Sequence, residues 1–260
     1  MNITFIHSLG RKTIERGRIY HSMADILVHS FEAGLRLSFL NRAVFPVVIR
    51  QVYSVAVQAL PIILLAGLTL GTIAVHYLLS LMTAFGAYDQ IGKYLTLTML
   101  HRTAPITTAV IILVRAGPAV VSKIALMKAN NEFETLRMLG IGPVRYVFLP
   151  HMLAFGFAGP SLALTFSLIG LIGSFPILGA IHDITFNNYL DQILYSLDFR
   201  SLIILLTKPF FMSMGIALVA LGYGMNAGRT FRNVPAVLIQ GMMDSIGVII
   251  FVEFVYLVVL

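Results

Sequence analysis

The sequence contains long runs of residues without a single charged side chain. No Asp, Glu, Lys or Arg occurs between Arg50 and Asp89, and the run from Tyr146 to His182 also lacks them. About 20 consecutive apolar residues are enough for a helix to cross the hydrocarbon core of a bilayer. Only 11% of the residues are charged, against about 25% in ordinary globular domains. These runs predict an integral membrane protein that spans the bilayer with helices.

The apolar runs divide the chain into five predicted spans. A closed barrel would instead need alternating segments of about 10 residues, and none occurs. The predicted fold class is therefore an all-α integral membrane protein, organised as one membrane domain over residues 1–260, with residues 1–50 ahead of the first span. The spans cover about 54–79, 93–122, 147–176, 202–226 and 236–259.

The basic residues predict the orientation of the spans, because Lys and Arg concentrate in cytoplasmic loops. Seven Lys or Arg precede the first span, whereas none follows the fifth. The two loops assigned to the outer side contain only Lys93 and Arg200. We expect the N-terminus in the cytoplasm and the C-terminus outside. The loops assigned to the cytoplasm contain Lys123, Lys128, Arg137, Arg145, Arg229 and Arg232.

The segment ahead of the first span is predicted to form an amphipathic helix at the cytoplasmic interface. It is too polar and basic for a cleavable signal peptide. A helix packed on a soluble partner is the alternative, which the closeness of the first span disfavours. The apolar residues that recur at helical spacing are Ile14, Ile19, Met23, Ile26, Leu27, Phe31 and Leu35.

Motifs for catalysis and metal binding do not occur in the sequence. Cysteine is absent, and no HExxH, Gly-x-Ser-x-Gly or phosphate-binding GxxxxGK[ST] motif is present. The histidines form no i,i+4 pair on one helix face, which disfavours a metal site. Gly222 and Gly224 indicate helix packing. We expect a subunit without catalytic residues or its own cofactor, so that any nucleotide is hydrolysed by another chain. Nucleic-acid binding is not expected, because the basic residues lie at membrane boundaries.

The loop between the second and third spans combines apolar and charged residues. Residues 124–139 favour a helix, which Gly140, Gly142 and Pro143 are expected to end. Phe133 and Met138, if exposed beside charges, favour docking to a partner over a solvated connector. The sequence therefore predicts a docking helix at 124–139.

The segment from Pro105 to Pro150 resembles the MlaE/YrbE family of ABC-transporter permeases. The family patterns there are roughly R-E-L-G-P, A-G-R-x-G, A-E-x-G-x-M, E-Q-x-x-A-L and M-G-x-D-P-x-R-x-L. The chain departs from them: His101-Arg102 replaces Arg-Glu, Lys123 replaces an acid, and Gly142 replaces Asp. These departures indicate a divergent member. The matching residues are RAG at 115–117, MKA at 127–129, Glu132 and LGIGPVRY at 139–146.

This resemblance implies a homodimeric permease in the inner membrane of a cell, moving phospholipids or related lipids. Each copy would receive a cytoplasmic ABC ATPase that binds ATP and Mg. A small STAS-domain subunit would often accompany it, and an MCE-domain lipid-binding protein would sit on the outer side. The helix at 124–139 would be the coupling helix for the ATPase. Its candidate coupling residues are Met127, Lys128, Asn131, Glu132, Glu134, Leu136 and Arg137.

Two arginines interrupt the apolar second span. At about 1.5 Å per residue, Arg102 lies about 13 Å from one end and Arg115 about 12 Å from the other. Both backbones are then a few Å inside the hydrocarbon, a depth from which a long side chain can reach the head groups. Arg115 is shared with the family and is assigned a structural role. Gly117, Gly140 and Pro143 are assigned structural roles with it.

The residues around Arg102 predict a lipid site. Pro105 leaves the carbonyl of His101 without its helical hydrogen bond. An open carbonyl beside the polar side chains of His101, Arg102 and Thr103 indicates a lined cavity. A guanidinium also suits a lipid phosphate. Arg102 reaching out to the head groups is the alternative. His76 and Tyr77 are further candidates for the same cavity, although interfacial tyrosine is common.

Two other functions remain open at this point. An ion-coupled secondary transporter would need carboxylates within the membrane, and five spans without an inverted repeat fit it poorly. A membrane scaffold would use the 124–139 helix to anchor a cytoplasmic partner without transport. The presence of an ATP-hydrolysing partner separates the lipid permease from both.

Overall fold

The computed structural model describes residues 17, 19, 21–30, 32, 44–84, 91–173, 175–176, 186–227 and 234–259. Every regular element among these residues is helical. The α-helices are α1 (Phe45–Val55), α2 (Leu60–Ala84), α3 (Ile91–Thr98), α4 (Ala104–Ala129), α5 (Glu132–Met138), α6 (Leu149–Gly173), α7 (Phe186–Ser196), α8 (Phe199–Asn226) and α9 (Val234–Val259).

Among the described residues, five helical stretches are long and apolar enough to cross a membrane, which confirms the five predicted spans. The first begins earlier than predicted, because α1 and a short 3-10 turn continue into α2. Orientation and the interfacial position of the N-terminal helix stay predictions; residues 21–30 are helical, but Ile14, Phe31, Leu35, Arg229 and Arg232 lie outside the described residues. The five stretches are Phe45–Leu78, Tyr94–Ala129, Val144–Gly173, Phe199–Asn226 and Val234–Val259.

Two compact units are distinguished within the chain. The first consists of the described residues of Met1–Val52, Leu113–Ala154 and Met214–Val248. In it, Met23 packs with Val219 and Tyr223 in a buried apolar cluster. The amide of Asn226 donates a 2.6 Å hydrogen bond to the Ser22 hydroxyl.

Glycines in the first unit permit close helix packing, as the sequence predicted for Gly222 and Gly224. A Cβ added to Gly222 would lie 2.4 Å from the Met23 side chain. One added to Gly224 would lie 2.6 Å from Cβ of Ile124. Real Cβ atoms do not approach other atoms so closely, so larger residues would push these segments apart.

The second unit consists of the described residues of Tyr53–Ile112, Phe155–Ser213 and Ile249–Leu260. There α2 and α6 approach backbone to backbone. A Cβ on Gly71 would lie 2.5 Å from the carbonyl oxygen of Gly170, and one on Gly67 would lie 3.1 Å from the carbonyl oxygen of Phe166. The Gly-x-x-x-Gly spacing of Gly67 and Gly71 is typical of closely packed membrane helices.

The second unit also contains the short helix α7, which packs by one face. The buried Tyr189 hydroxyl donates a 2.8 Å hydrogen bond to the carbonyl of Leu171. The Ser196 hydroxyl bonds Thr96 at 3.0 Å. The opposite face leaves Leu194 and Tyr195 exposed, the latter at 97%.

Candidate functional site

The backbone ahead of α4 has a wide helical turn at the predicted lipid site. Residues Met99–Thr103 form a π-helical turn, which closes with a bond from the N–H of Ala104 to the carbonyl of Met99. The Thr103 hydroxyl donates to the Thr98 carbonyl at 3.3 Å. Pro105 follows without an N–H group to donate. Single π-turns inside helices occur frequently at functional sites.

Lys208 of α8 is the hydrogen-bond donor to the carbonyl that Pro105 leaves without its helical partner. Its ammonium nitrogen donates a 2.7 Å hydrogen bond to the carbonyl oxygen of His101. Lys208 is only 3% exposed. A lysine is almost never so deeply buried unless its charge is paired. The carbonyl of His101, which Pro105 leaves open, therefore accepts a hydrogen bond from a buried cation.

The charge of Lys208 is balanced by Glu253 of α9. The ammonium nitrogen and the Oε2 atom of Glu253 are 2.7 Å apart, and the glutamate side chain is 24% exposed. The ammonium also lies 5.9 Å from the centre of the Tyr256 ring, within reach of a cation–π interaction. Lys208 therefore connects α8 to α9 by an ion pair and to the turn before α4 by a hydrogen bond.

The surroundings of His101 contain basic side chains. Three cations act electrostatically on its imidazole: Lys208, Arg200 and Arg102. The ring is partly buried, and its Nε2 atom has no hydrogen-bond partner among the residues that the structure describes. Arg102 is exposed, Thr103 is partly buried and Pro105 is buried. The arrangement suits a ligand with a negative charge.

A groove of about 570 Å³ lies along the beginning of α8 and the end of α9. This volume falls within the roughly 300–1,000 Å³ of small-molecule sites. Its walls are mainly apolar, and it is lined by Asp198, Phe199, Arg200, Ile203, Ile204, Thr207, Val255, Tyr256 and Val259. Arg200 thus belongs both to the groove and to the cations around His101.

The two remaining candidates for lipid contact lie on α2. His76 and Tyr77 are exposed, the tyrosine at 63%. Within the described part of the chain, no side-chain hydrogen bond or ion pair joins either of them to the turn at Met99–Thr103. Their place in the site stays a prediction.

The predicted docking helix differs from the structure in two respects. Residues 124–139 are not one helix: α4 continues to Ala129, and Asn131, at φ 57°, separates it from the seven-residue α5. Asparagine tolerates this left-handed conformation better than most residues. Phe133 is buried and packs against Phe148, with the rings tilted by 51° and their centres 5.8 Å apart, so it is not the exposed aromatic that the sequence suggested.

The end of α5 exposes a different apolar surface, which we call the α5 tip: Met138, Leu139 and Ile141. Their exposed fractions are 86%, 68% and 38%. Gly140 has φ +73°, and the N–H groups of Ile141 and Gly140 bond the carbonyls of Leu136 and Arg137. This arrangement is a Schellman motif, which confirms the helix stop predicted at Gly140.

The candidate coupling residues fall into an exposed and a packed group. Lys128 donates a hydrogen bond to the carbonyl of Met225, which ties α4 to the end of α8. Met127 and Leu136 are partly buried. The exposed members are Asn131, Glu132, Glu134 and Arg137.

The residues assigned structural roles are packed to different degrees. Arg115 is partly buried and has an interaction partner. Gly117 is buried, and Pro143 directly precedes a second π-turn at Val144–Phe148. Their roles stay predictions.

Comparison with known proteins places these features in a family. The family described as Permease MlaE matches residues 48–259. The chain belongs to the MlaE permease family. The match includes the π-turn, the ion pair, the groove and the α5 tip of this permease.

Relatives of the permease occur in several organisms. The intermembrane phospholipid transport system permease protein MlaE of Haemophilus influenzae is 30% identical over 173 residues, which cover 66% of this chain and 65% of the relative. A probable ABC transporter permease protein of Rickettsia felis is 21% identical over 94% of this chain and 93% of its own length. A chloroplastic protein of Arabidopsis thaliana, TRIGALACTOSYLDIACYLGLYCEROL 1, is 28% identical over 42% of this chain and 31% of its own length.

Sequence reasoning did not pair Lys208 with Glu253, although the signal was present. Lys208 lies nine positions after Phe199, the first residue of α8, and Glu253 six positions before Val259, the last residue of α9. At about 1.5 Å per residue, these positions are roughly 13 Å and 9 Å from the helix ends. Opposite charges at similar depths in consecutive spans are good candidates for a pair.

Proposed function

We propose that this permease is the membrane subunit of an ABC transporter that moves phospholipids or related lipids. The match to the permease family across residues 48–259 carries this proposal. The names of the relatives from Haemophilus influenzae and Rickettsia felis support it, since one is a phospholipid transport permease and the other a probable ABC transporter permease. The ATP is hydrolysed by a separate ATPase, because no phosphate-binding loop motif occurs in the sequence.

The lipid head group contacts the cations around His101 in this proposal. A lipid phosphate gains paired, charge-assisted hydrogen bonds from a guanidinium, and Arg102 and Arg200 both supply one. Lys208 does not compete for the lipid, because Glu253 already neutralises it. The apolar walls of the groove suit acyl chains.

The α5 tip contacts the ATPase. Apolar side chains surrounded by exposed charges are the composition of a docking surface, with the apolar groups at its centre. Met138 and Leu139 supply the apolar centre, and Glu134 and Arg137 supply the charges. Movement of the ATPase passes to α4 through the short connection at Asn131.

The assembly includes two copies of the permease in an inner membrane. An MCE-type lipid carrier binds them on the outer side. A second copy has an available surface on α9. Only 11% of the most apolar 18-residue segment of this helix is buried within the chain. A STAS-domain subunit is a further partner. These partners follow from the family resemblance.

The contact with the ATPase is tested by purifying the full chain from its native membrane with its partners. Leu139→Asp should reduce the co-purified ATPase at least about tenfold, since about 1.4 kcal/mol of lost binding is enough. Leu194→Asp is the matched control, because Leu194 on α7 has a similar exposed fraction, 62% against 68%. Equal loss in both variants would contradict docking through the α5 tip. Absence of any ATP-hydrolysing partner of the unmodified chain would contradict the proposed function.

The lipid site is tested by comparing the two arginines of the second span. Arg102→Ala should lower the amount of co-purified phospholipid, because an exposed guanidinium among the cations around His101 is lost. Arg115→Ala should lower it less, since Arg115 already has a partner within the protein. Phospholipid extracted from equal amounts of purified protein gives the occupancy. Equal occupancy of the unmodified chain and both variants would remove Arg102 from the site.

A further inference from the structure

Two side chains of opposite charge line the groove at the beginning of α8 without pairing to each other. Asp198 immediately precedes the helix, and Arg200 is its second residue. Both are exposed. Within the described residues, no ion pair or side-chain hydrogen bond engages either of them. Two residues that could neutralise each other are thus available to a ligand.

The rest of the groove is suited to hydrocarbon. Phe199, Ile203 and Ile204 line it from α8, and Val255 and Val259 from α9. These apolar side chains suit contact with an acyl chain. The charged residues suit the head group of a lipid, and the apolar walls suit its acyl chains.

The charges of the groove complement a head group that contains both signs. A phosphate pairs with the Arg200 guanidinium, and the N-terminus of α8 adds a partial positive charge beside it. The Asp198 carboxylate attracts an ammonium group. It repels a head group whose only charge is negative, which makes it an element of specificity.

We propose that this groove binds one phospholipid whose head group contains a phosphate and a primary amine, in preference to a phospholipid without the amine. Arg200 binds the phosphate and Asp198 binds the ammonium. The proposal rests on the proposed function for the lipid nature of the ligand, and it adds the class of head group and the residues that select it. Arg200 is also one of the cations that act on His101.

The selection is measured in nanodiscs with equal parts of phosphatidylethanolamine and phosphatidylglycerol, containing the purified full chain. Native mass spectrometry then counts each lipid that stays bound. The unmodified chain should retain phosphatidylethanolamine over phosphatidylglycerol by about tenfold, which corresponds to about 1.4 kcal/mol. Asp198→Asn should abolish the preference without reducing phosphatidylglycerol. Arg200→Gln should reduce both lipids several-fold.

Matched variants separate the groove from general surface effects. Asp191→Asn changes an exposed carboxylate of α7 that does not line the groove, and it should keep the preference. Ile203→Trp should fill the groove and displace both lipids, whereas Leu202→Trp, at the neighbouring exposed position outside the lining, should not. Retention unchanged by Arg200→Gln and Ile203→Trp would overturn the proposal. An unmodified chain without preference would also overturn it.

This measurement needs no ATP or partner, so its outcome is independent of the transporter assignment. A groove that selects phosphatidylethanolamine in a chain without an ATPase partner would refute the proposed function and keep the groove. A chain that co-purifies with an ATPase but is insensitive to Asp198→Asn and Arg200→Gln would keep the proposed function and refute the groove.

Discussion

Lys208→Met should destabilise the permease by roughly 3 kcal/mol. Removing one member of a buried ion pair costs about 3–5 kcal/mol because the other charge is left unpaired, and the 24% exposure of Glu253 favours the lower end. The carbonyl of His101 also loses its donor. We expect a fall in the thermal unfolding midpoint of about 6–12 °C, since 1 kcal/mol shifts it by about 2–4 °C in proteins of this size. The measurement is thermal unfolding of the purified protein in detergent.

A double variant identifies the cause of this loss. In Lys208→Met/Glu253→Gln no buried charge is left unpaired, so the midpoint should recover part of what Lys208→Met alone loses. If the two substitutions instead lower the midpoint additively, the residues do not form a stabilising pair. The matched comparison is Glu253→Gln alone, in which Lys208 keeps the carbonyl of His101 as a partner.

Gly71→Ala should also destabilise the protein strongly. The new methyl group would lie 2.5 Å from the carbonyl oxygen and 2.6 Å from Cα of Gly170. Both are backbone atoms, so α2 and α6 have to separate for even this small side chain. Overpacking costs about 1–3 kcal/mol and occasionally more, and the lack of a movable side chain favours about 3 kcal/mol.

The control for this substitution is Gly247→Ala on α9. No heavy atom lies within 4 Å of the position that its Cβ would take. Alanine there should be neutral or raise stability by up to about 1 kcal/mol, because glycine is a poor helix former. Thermal unfolding of both variants gives the comparison. Similar midpoints would mean that α2 and α6 do not pack as closely at Gly71 as described.

Much of the fold was predictable because a bilayer imposes simple rules. The uncharged runs required helices of a minimum length, and the five spans follow from them. The helix stop at Gly140 was predictable for a local reason, since glycine accepts the positive φ of a Schellman motif. The carbonyl of His101 was also identified from Pro105, because a proline cannot donate the bond that this carbonyl would otherwise accept.

Other features depend on contacts between distant parts of the chain, and local patterns did not reveal them. Phe133 is buried because Phe148 lies beside it, whereas the sequence showed only an aromatic residue among charges. The pairing of Lys208 with Glu253 required knowing which faces of α8 and α9 meet. The groove combines residues from both helices, so Asp198 and Arg200 appeared in the sequence as ordinary loop charges.

We propose that ATP hydrolysis by a partner moves phospholipid through this chain. The most direct measurement uses proteoliposomes that contain the complex purified from its native membrane and a fluorescent phospholipid. Transfer of the labelled lipid to or from an added MCE-domain carrier should require ATP. It should stop with a non-hydrolysable analogue and fall several-fold with Leu139→Asp. Lipid transfer at the same rate without ATP, or no transfer by a complex that hydrolyses ATP, would contradict the proposed function.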